Sequence, residues 1–173
     1  HMSDAIVAVD MTTGEIRWSY QGYKDDAFNA ACLFDGPNCP REDGPDFDFG
    51  ASPILTQTKS GKDILLAGQK SGAVHALDPG TGELIWMNQV TPGSALGGVH
   101  WGMAISDDLV IVPMSDNIQG RERKPGVYGL DITTGDIRWI HKATPTCDQL
   151  FAGGAPWPDC PYTFSAAATT AND

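Results

Sequence analysis

Ala8-Val9-Asp10-Met11-Thr12-Thr13-Gly14-Glu15-Ile16-Arg17-Trp18 is the stretch whose reading decides the fold, because it occurs three times. The second copy is Ala76-Leu77-Asp78-Pro79-Gly80-Thr81-Gly82-Glu83-Leu84-Ile85-Trp86, and the third is Gly129-Leu130-Asp131-Ile132-Thr133-Thr134-Gly135-Asp136-Ile137-Arg138-Trp139. Each has a small residue, Asp two positions later, Thr-Gly five and six later, and Trp ten later. This predicts a hairpin: a strand ending in Asp, a Thr-Gly turn, and a return strand carrying Trp. Asp and Thr hydrogen-bond the turn backbone, and Gly supplies the positive φ. The small residue and the Trp, recurring once per unit, are expected to pack between neighbouring sheets. The Trp-to-Trp spacings are 68 and 53 residues. They exceed the roughly 40–50 residues of a bare four-stranded propeller blade. The excess falls in two cysteine-containing loops and in the polar stretch from Asn117 to Lys124.

Strands fill the gaps between the hairpins. Gly50 to Gln57 and Asp63 to Gly68 precede the second copy, and Gly98 to Ile105 and Leu109 to Met114 precede the third. Each complete unit has four short antiparallel strands, so the predicted class is all-β, a β-propeller fragment of four-stranded antiparallel blades. The expected organisation is an expression scar at 1–2; the last two strands of one blade plus a cysteine loop over 3–49; complete blades over 50–90 and 91–142; and a second cysteine loop with the first strand of a further blade, Thr163 to Thr170, over 143–173. That makes roughly 11 strands, short of the four to eight blades of a closed ring. Open blade faces and an unpaired last strand predict self-association.

Composition narrows the function. The 173 residues carry 22 Asp plus Glu against 11 Lys plus Arg, a net charge of −11 that repels phosphate and argues against nucleic-acid binding. Hydrophobic residues at 41% suffice for a packed core. The longest apolar run, near Leu109 to Pro113, is far below the roughly 20 residues of a membrane-spanning helix. The four cysteines fall into two local pairs, Cys32 with Cys39 and Cys147 with Cys160. Two disulfides are the simplest reading and imply a periplasmic or secreted protein. Free thiols and a zinc site are the alternatives, though neither pair has the short spacing usual for zinc. No Cys-x-x-Cys-His haem segment is present in these residues.

The repeat resembles that of the quinoprotein (pyrroloquinoline quinone, PQQ) alcohol dehydrogenases. Gly44 to Leu55, Ala67 to Gly72 and Ser94 to Met103 look like the polyvinyl-alcohol dehydrogenase-like branch. The resemblance implies a fragment of an eight-bladed periplasmic propeller that holds PQQ and calcium, oxidises a small or polymeric alcohol and passes electrons to a cytochrome c. The isolated fragment is expected to be inactive. Gly97-Gly98-Val99-His100-Trp101-Gly102 is similar to the family strand whose Trp floors the quinone, which makes Trp101 the candidate floor; a core Trp between blades is the alternative. Asp116 aligns with the family's calcium ligand, with Asn117 beside it, although Asp-Asn is also a common turn. The sequence departs from the family where its base is expected, since Val127 follows Pro125-Gly126, and the turn Gly68 to Gly72 lacks the calcium Glu. Asp46 and Asp48 are the remaining candidates for the catalytic base, against a role as turn acids. The rival functions are a non-catalytic propeller of the same repeat that serves as a protein-binding scaffold, and a sugar- or polymer-binding propeller.

Overall fold

A computed structural model describes residues 2–116, 124–144 and 163–171. Its ten strands are β1 (Ala5–Val9), β2 (Ile16–Gln21), β3 (Ile54–Gln57), β4 (Asp63–Gly68), β5 (Ala73–Leu77), β6 (Leu84–Gln89), β7 (Ala104–Ser106), β8 (Leu109–Met114), β9 (Gly126–Asp131) and β10 (Ile137–Lys142). One 3-10 turn, Ala30–Phe34, is the only helical element among the described residues. The strands form a β1-β2 hairpin and two four-stranded meanders, β3-β4-β5-β6 and β7-β8-β9-β10, every pairing antiparallel.

The three repeated hairpins share one hydrogen-bond scheme. Asp10, Asp78 and Asp131 each accept the turn Gly N–H on their main-chain oxygen, at 2.7–2.8 Å. Each also caps two further turn amides with its side-chain Oδ1. The Thr hydroxyl accepts the amide two residues on. The turn glycines Gly14, Gly82 and Gly135 have φ of 74–77°, the left-handed region in which other residues are strained. The small residue lies directly across the ladder from the Trp: Ala8 from Trp18, Ala76 from Trp86, Gly129 from Trp139. A cross-strand pair of one large and one small side chain leaves room for the indole to lie over the sheet.

From there each Trp reaches the next unit. Trp18 Nε1 donates to Pro79 O at 3.0 Å, and Trp86 Nε1 donates to Ile132 O at 2.9 Å. Pro79 and Ile132 each follow the repeat Asp by one residue, so the two contacts are copies of one joint. The indoles lie over the turn glycines: a Cβ added at Gly82 would sit 2.5 Å from the Trp18 ring, and one at Gly135 would sit 2.5 Å from the Trp86 ring. The repeat glycine is thus required twice, by its φ and by the Trp above it.

The central sheet, β3 to β6, is covered on both faces, and period-2 alternation sorts its side chains. Ile64, Leu66, Val74 and Ala76 pack with Val110, Val112, Met114, Tyr128, Leu130 and Ile132 of the following sheet. Ala67 and Leu77 pack the other way, with Ile6, Trp18, Tyr20 and Phe49. Each fully buried Leu, Ile or Val contributes about 1.5–3 kcal/mol, and burial on both faces explains why all five residues of β5 are inaccessible.

Three expectations need correction. The expected strands starting at Gly50 and Gly98 start only at Ile54 and Ala104, and between Gly98 and Gly102 the main chain bonds instead to Ser115, Gln69 and Ala168. Thr163 to Thr170 is not a strand. A strand is defined by its ladder, and this segment makes one main-chain hydrogen bond among the described residues, Ala168 N to Gly102 O, supplemented by Thr170 Oγ1 to Ile105 O.

Candidate functional site

The sequence-predicted site residues Asp46, Asp48 and Trp101 all precede first strands, at the end of the sheets where the β4–β5 and β8–β9 turns also lie. Asp26 anchors this end. Its carboxylate, 1% exposed, accepts the amides of Asp46 (3.1 Å) and Phe47 (2.8 Å). Those bonds hold Asp46 at φ 64°, so residues 46–49 turn towards the β4–β5 turn rather than joining β3. Lys70 N then donates to Asp48 O at 2.9 Å.

The Lys70 side chain is buried, with its ammonium 2.6 Å from Asp48 Oδ2 and 3.1 Å from Asp46 Oδ2. Burial opposes its charge, but the two carboxylates outweigh burial and raise its pKa. On Asp48, burial is likewise outweighed by the bonds from Lys70 and Asp4, so its pKa is lowered. Burial dominates at Asp46, whose pKa is raised despite Lys70. Asp4 completes the cluster. Burial first, then its hydrogen bond to Asp48, raises its pKa to about 7. A protonated Asp4 can donate to the Asp48 carboxylate, which two ionised groups could not do. The Asp48 side chain is 49% exposed and opens on a cavity of about 340 Å³ lined by Asp4, Phe49 and Gly50.

Trp101 stands beside this cluster. Its ring stacks on His100, centroids 4.3 Å apart and planes 17° from parallel, and half of the residue is exposed. Among the described residues the position between sheets is taken by Trp18 and Trp86 rather than by Trp101. His100 packs against Gly50, and its pKa is lowered by burial and by the Lys70 charge. Gly98 places the segment: at φ 60° it bridges to Ser115, and a Cβ there would collide with the Lys70 carbonyl oxygen. Val99 N also donates to Gln69 O at 3.1 Å, which ties the segment leading to Trp101 to the β4–β5 turn.

Asp116 is buried one residue beyond this bridge, and its Oδ2 accepts the Lys124 amide at 2.8 Å. Asn117 and the Cys147–Cys160 pair lie outside the described residues. Cys32 and Cys39 form a disulfide. They are the two cysteines of the one His, Cys, Asp or Glu cluster of metal-ligating size among the described residues, with Asp43, and the bond removes both thiols as ligands.

Sequence reasoning missed Lys70, Asp4, Asp26 and His100. Lys70 carried a readable signal: it is a cation inside a Gly-bounded turn of a strongly acidic chain. Asp4 and Asp26 carried none, because nothing local distinguishes them from the other acids.

A repeated Asp-turn-Trp hairpin, stacked four-stranded sheets and a polar cluster at one sheet end define a PQQ-repeat β-propeller. The family model PQQ_2, described as outer membrane protein assembly factor BamB, matches residues 3–159, and the chain belongs to that family. It is 48% identical over 145 residues to a polyvinylalcohol dehydrogenase of Pseudomonas sp, which covers 83% of this chain and 22% of that protein. A polyvinylalcohol dehydrogenase of Sphingopyxis sp. (strain 113P3) is 45% identical over 143 residues, covering 79% of this chain and 22% of that protein. The chain therefore spans about a fifth of the length of the curated relatives it matches. The crystal structure of quinohemoprotein alcohol dehydrogenase from Comamonas testosteroni superposes with a TM-score of 0.57 at 18% identity, over 83% of this chain and 19% of that one, a likeness of fold.

Proposed function

We propose that this chain is part of a PQQ-dependent alcohol dehydrogenase acting on a small or polymeric alcohol. The observation that carries the reading is the half-exposed Trp101 ring, rigidly stacked on His100 beside the Asp48–Lys70 pair. The fit to a flat quinone is good on one count, since an indole braced from behind offers a rigid stacking surface. When bound, PQQ supplies a two-electron acceptor. The chain's own residues do the remainder. Trp101 stacks against the ring. Asp48, ionised because Lys70 holds its pKa low, accepts the hydroxyl proton on its exposed carboxylate. Lys70 fixes that carboxylate, and Asp4 shares a proton with it. The identity of 45–48% to two polyvinylalcohol dehydrogenases supports the enzyme over the scaffold reading.

The finer parts of the proposal have narrower support. A cytochrome c as electron acceptor follows from the family resemblance. A periplasmic or secreted location is supported by the Cys32–Cys39 disulfide. For calcium at Asp116 and Asn117, the described residues supply one carboxylate, already bonded to Lys124, against the six to eight oxygens calcium takes. No step is derived through it.

The test is alcohol-dependent dye reduction by the full-length protein reconstituted with PQQ. Trp101→Ala is expected to weaken PQQ binding about tenfold or more. Asp48→Asn should lower turnover by about 10²-fold or more while PQQ affinity changes little. Wild-type rates in both variants would overturn the assignment.

A further inference from the structure

We propose that a cavity between the segment after β2 and the β5–β6 half of the central sheet binds a small uncharged carbonyl compound, which presents its oxygen to Gln69 and His75. The cavity has a volume of about 400 Å³, the size of a small-molecule site. Strand alternation builds one side of it. Ala73 and His75 share a face of β5, and Gln89 and Met87 stand directly across the ladder from them on β6. The β4–β5 turn contributes Gln69, and Tyr23 and Phe47, whose rings meet edge to face at 5.2 Å, complete the wall. Tyr23 and Met87 are 40% and 50% exposed and form the mouth. All of these residues lie in the interior of the described chain. Asp48, Lys70 and Trp101 do not line the cavity, so it is separate from the site described above.

Two hydrogen-bond chains end here on unmatched N–H groups. Ser71 Oγ accepts the Ala73 amide and donates to Gln69 Oε1 at 2.6 Å, which leaves the Gln69 Nε2 group as the far end of that chain. The Tyr20 hydroxyl donates to His75 Nδ1 at 2.9 Å, and burial keeps the imidazole neutral down to about pH 4, so its one ring proton sits on Nε2. Neither Nε2 has a hydrogen-bond partner among the described residues, although Gln69 is 1% and His75 2% exposed. A buried donor left unmatched costs about 1–3 kcal/mol, and an acceptor bound in the cavity removes that cost. No buried acceptor of the described residues lining the cavity is left unmatched. The ligand therefore needs an acceptor and has no place for a proton of its own, which selects a carbonyl over a hydroxyl. Water would leave the apolar surfaces of Tyr23, Phe47 and Met87 uncovered, whereas an organic body covers them. No Asp, Glu, Lys or Arg is among the described lining residues, so a charged ligand would lose its hydration without a counter-charge. Gly22 leaves the space beside the Gln69 amide free, since a Cβ there would lie 2.7 Å from Nε2.

Nuclear magnetic resonance titration of the ¹⁵N-labelled chain, free of PQQ, with cyclohexanone tests this. The Gln69 side-chain amide and the His75 Nε2–H are expected to shift together and to saturate, with a Kd of about 1 mM or tighter. Cyclohexanol should bind about fivefold more weakly, because its own proton lacks a buried acceptor. Cyclohexanecarboxylate should bind at least about tenfold more weakly, because its charge lacks a partner. Gln69→Leu and His75→Phe should each weaken cyclohexanone about fivefold, the worth of one hydrogen bond. Ala73→Leu fills the cavity, keeps both hydrogen-bond chains and should abolish the titration. Circular dichroism melts establish that each variant is folded, and the comparison of the three probes on the wild-type chain decides the matter if none is. No saturable shift at Gln69 and His75, an alcohol or carboxylate bound as tightly as the ketone, or binding that survives Ala73→Leu would each overturn the proposal.

Discussion

His75 and Asp4 pull the stability of the protein in opposite directions between the same pH limits. His75 is buried in β5, with Nδ1 2.9 Å from the Tyr20 hydroxyl and Nε2 unbonded among the described groups. Burial lowers its pKa from 6.5 to about 4, so the folded chain binds fewer protons than the unfolded chain between those values. Stability conferred by neutral His75 is complete above about pH 6.5 and is lost as pH falls towards 4, by up to about 3 kcal/mol. Asp4 is the reverse case. Its pKa is raised from 3.8 to about 7, so the folded chain holds the extra proton and stability is lost as pH rises through that interval. The two contributions therefore oppose each other in the wild-type Tm between pH 4.5 and pH 7. His75→Gln should leave a Tm that falls as pH rises, and Asp4→Asn a Tm that falls as pH drops. Scanning calorimetry across this range checks both slopes, and the same sign in the two variants would contradict the assignment.

Turns and loops, rather than strands, decide where the polar side chains meet. Gly98 is the sharpest case, since its φ of 60° and the nearby Lys70 carbonyl both reject a side chain. Gly98→Ala is expected to cost about 2–4 kcal/mol in urea unfolding. It should also disturb the Trp101–His100 stack, read as a change in near-ultraviolet circular dichroism. The Cys32–Cys39 bridge acts differently: it closes a short loop around the 3-10 turn, seven residues apart in sequence. The chain-entropy argument gives such a loop about 2–3 kcal/mol. Reduction should lower Tm by several degrees and leave the β-sheet signal unchanged.

Across the whole molecule, the Trp joints set how one sheet supports the next. Trp86 connects the central sheet to the following one and is expected to cost about 3 kcal/mol when replaced by Ala. Trp139→Ala in this 173-residue chain should cost about 1 kcal/mol or less, because no further sheet among the described residues takes its ring, which is 40% exposed. Equal losses at the two positions would mean that the joint contributes little beyond its own hairpin.

The repeat was legible because its information is local. Asp, Thr, Gly and Trp act within eleven residues, so hairpin position, turn chemistry and blade class followed from spacing alone, as did the strands Asp63–Gly68 and Leu109–Met114. The resemblance also pointed to Trp101, and the structure leaves that ring half-exposed, braced by His100. Gly50 to Pro53 and Gly98 to Met103 read as strand and are not; in the second segment Gly98, Val99 and Gly102 bond to Ser115, Gln69 and Ala168 rather than along a ladder. Asp46 and Asp48 were legible as candidate acids, but their pairing with Lys70 and the part of Asp4 and Asp26 were not. Asp4, Asp26, Asp48 and Lys70 are separated by up to 66 residues. Their pairing depends on how one sheet end sits beside the next, and ion pairing in a desolvated pocket is fixed by distance in space. Local sequence determined the unit of this protein, and the tertiary structure alone decided which acids face Lys70 and which carbonyls receive the Trp18 and Trp86 indoles.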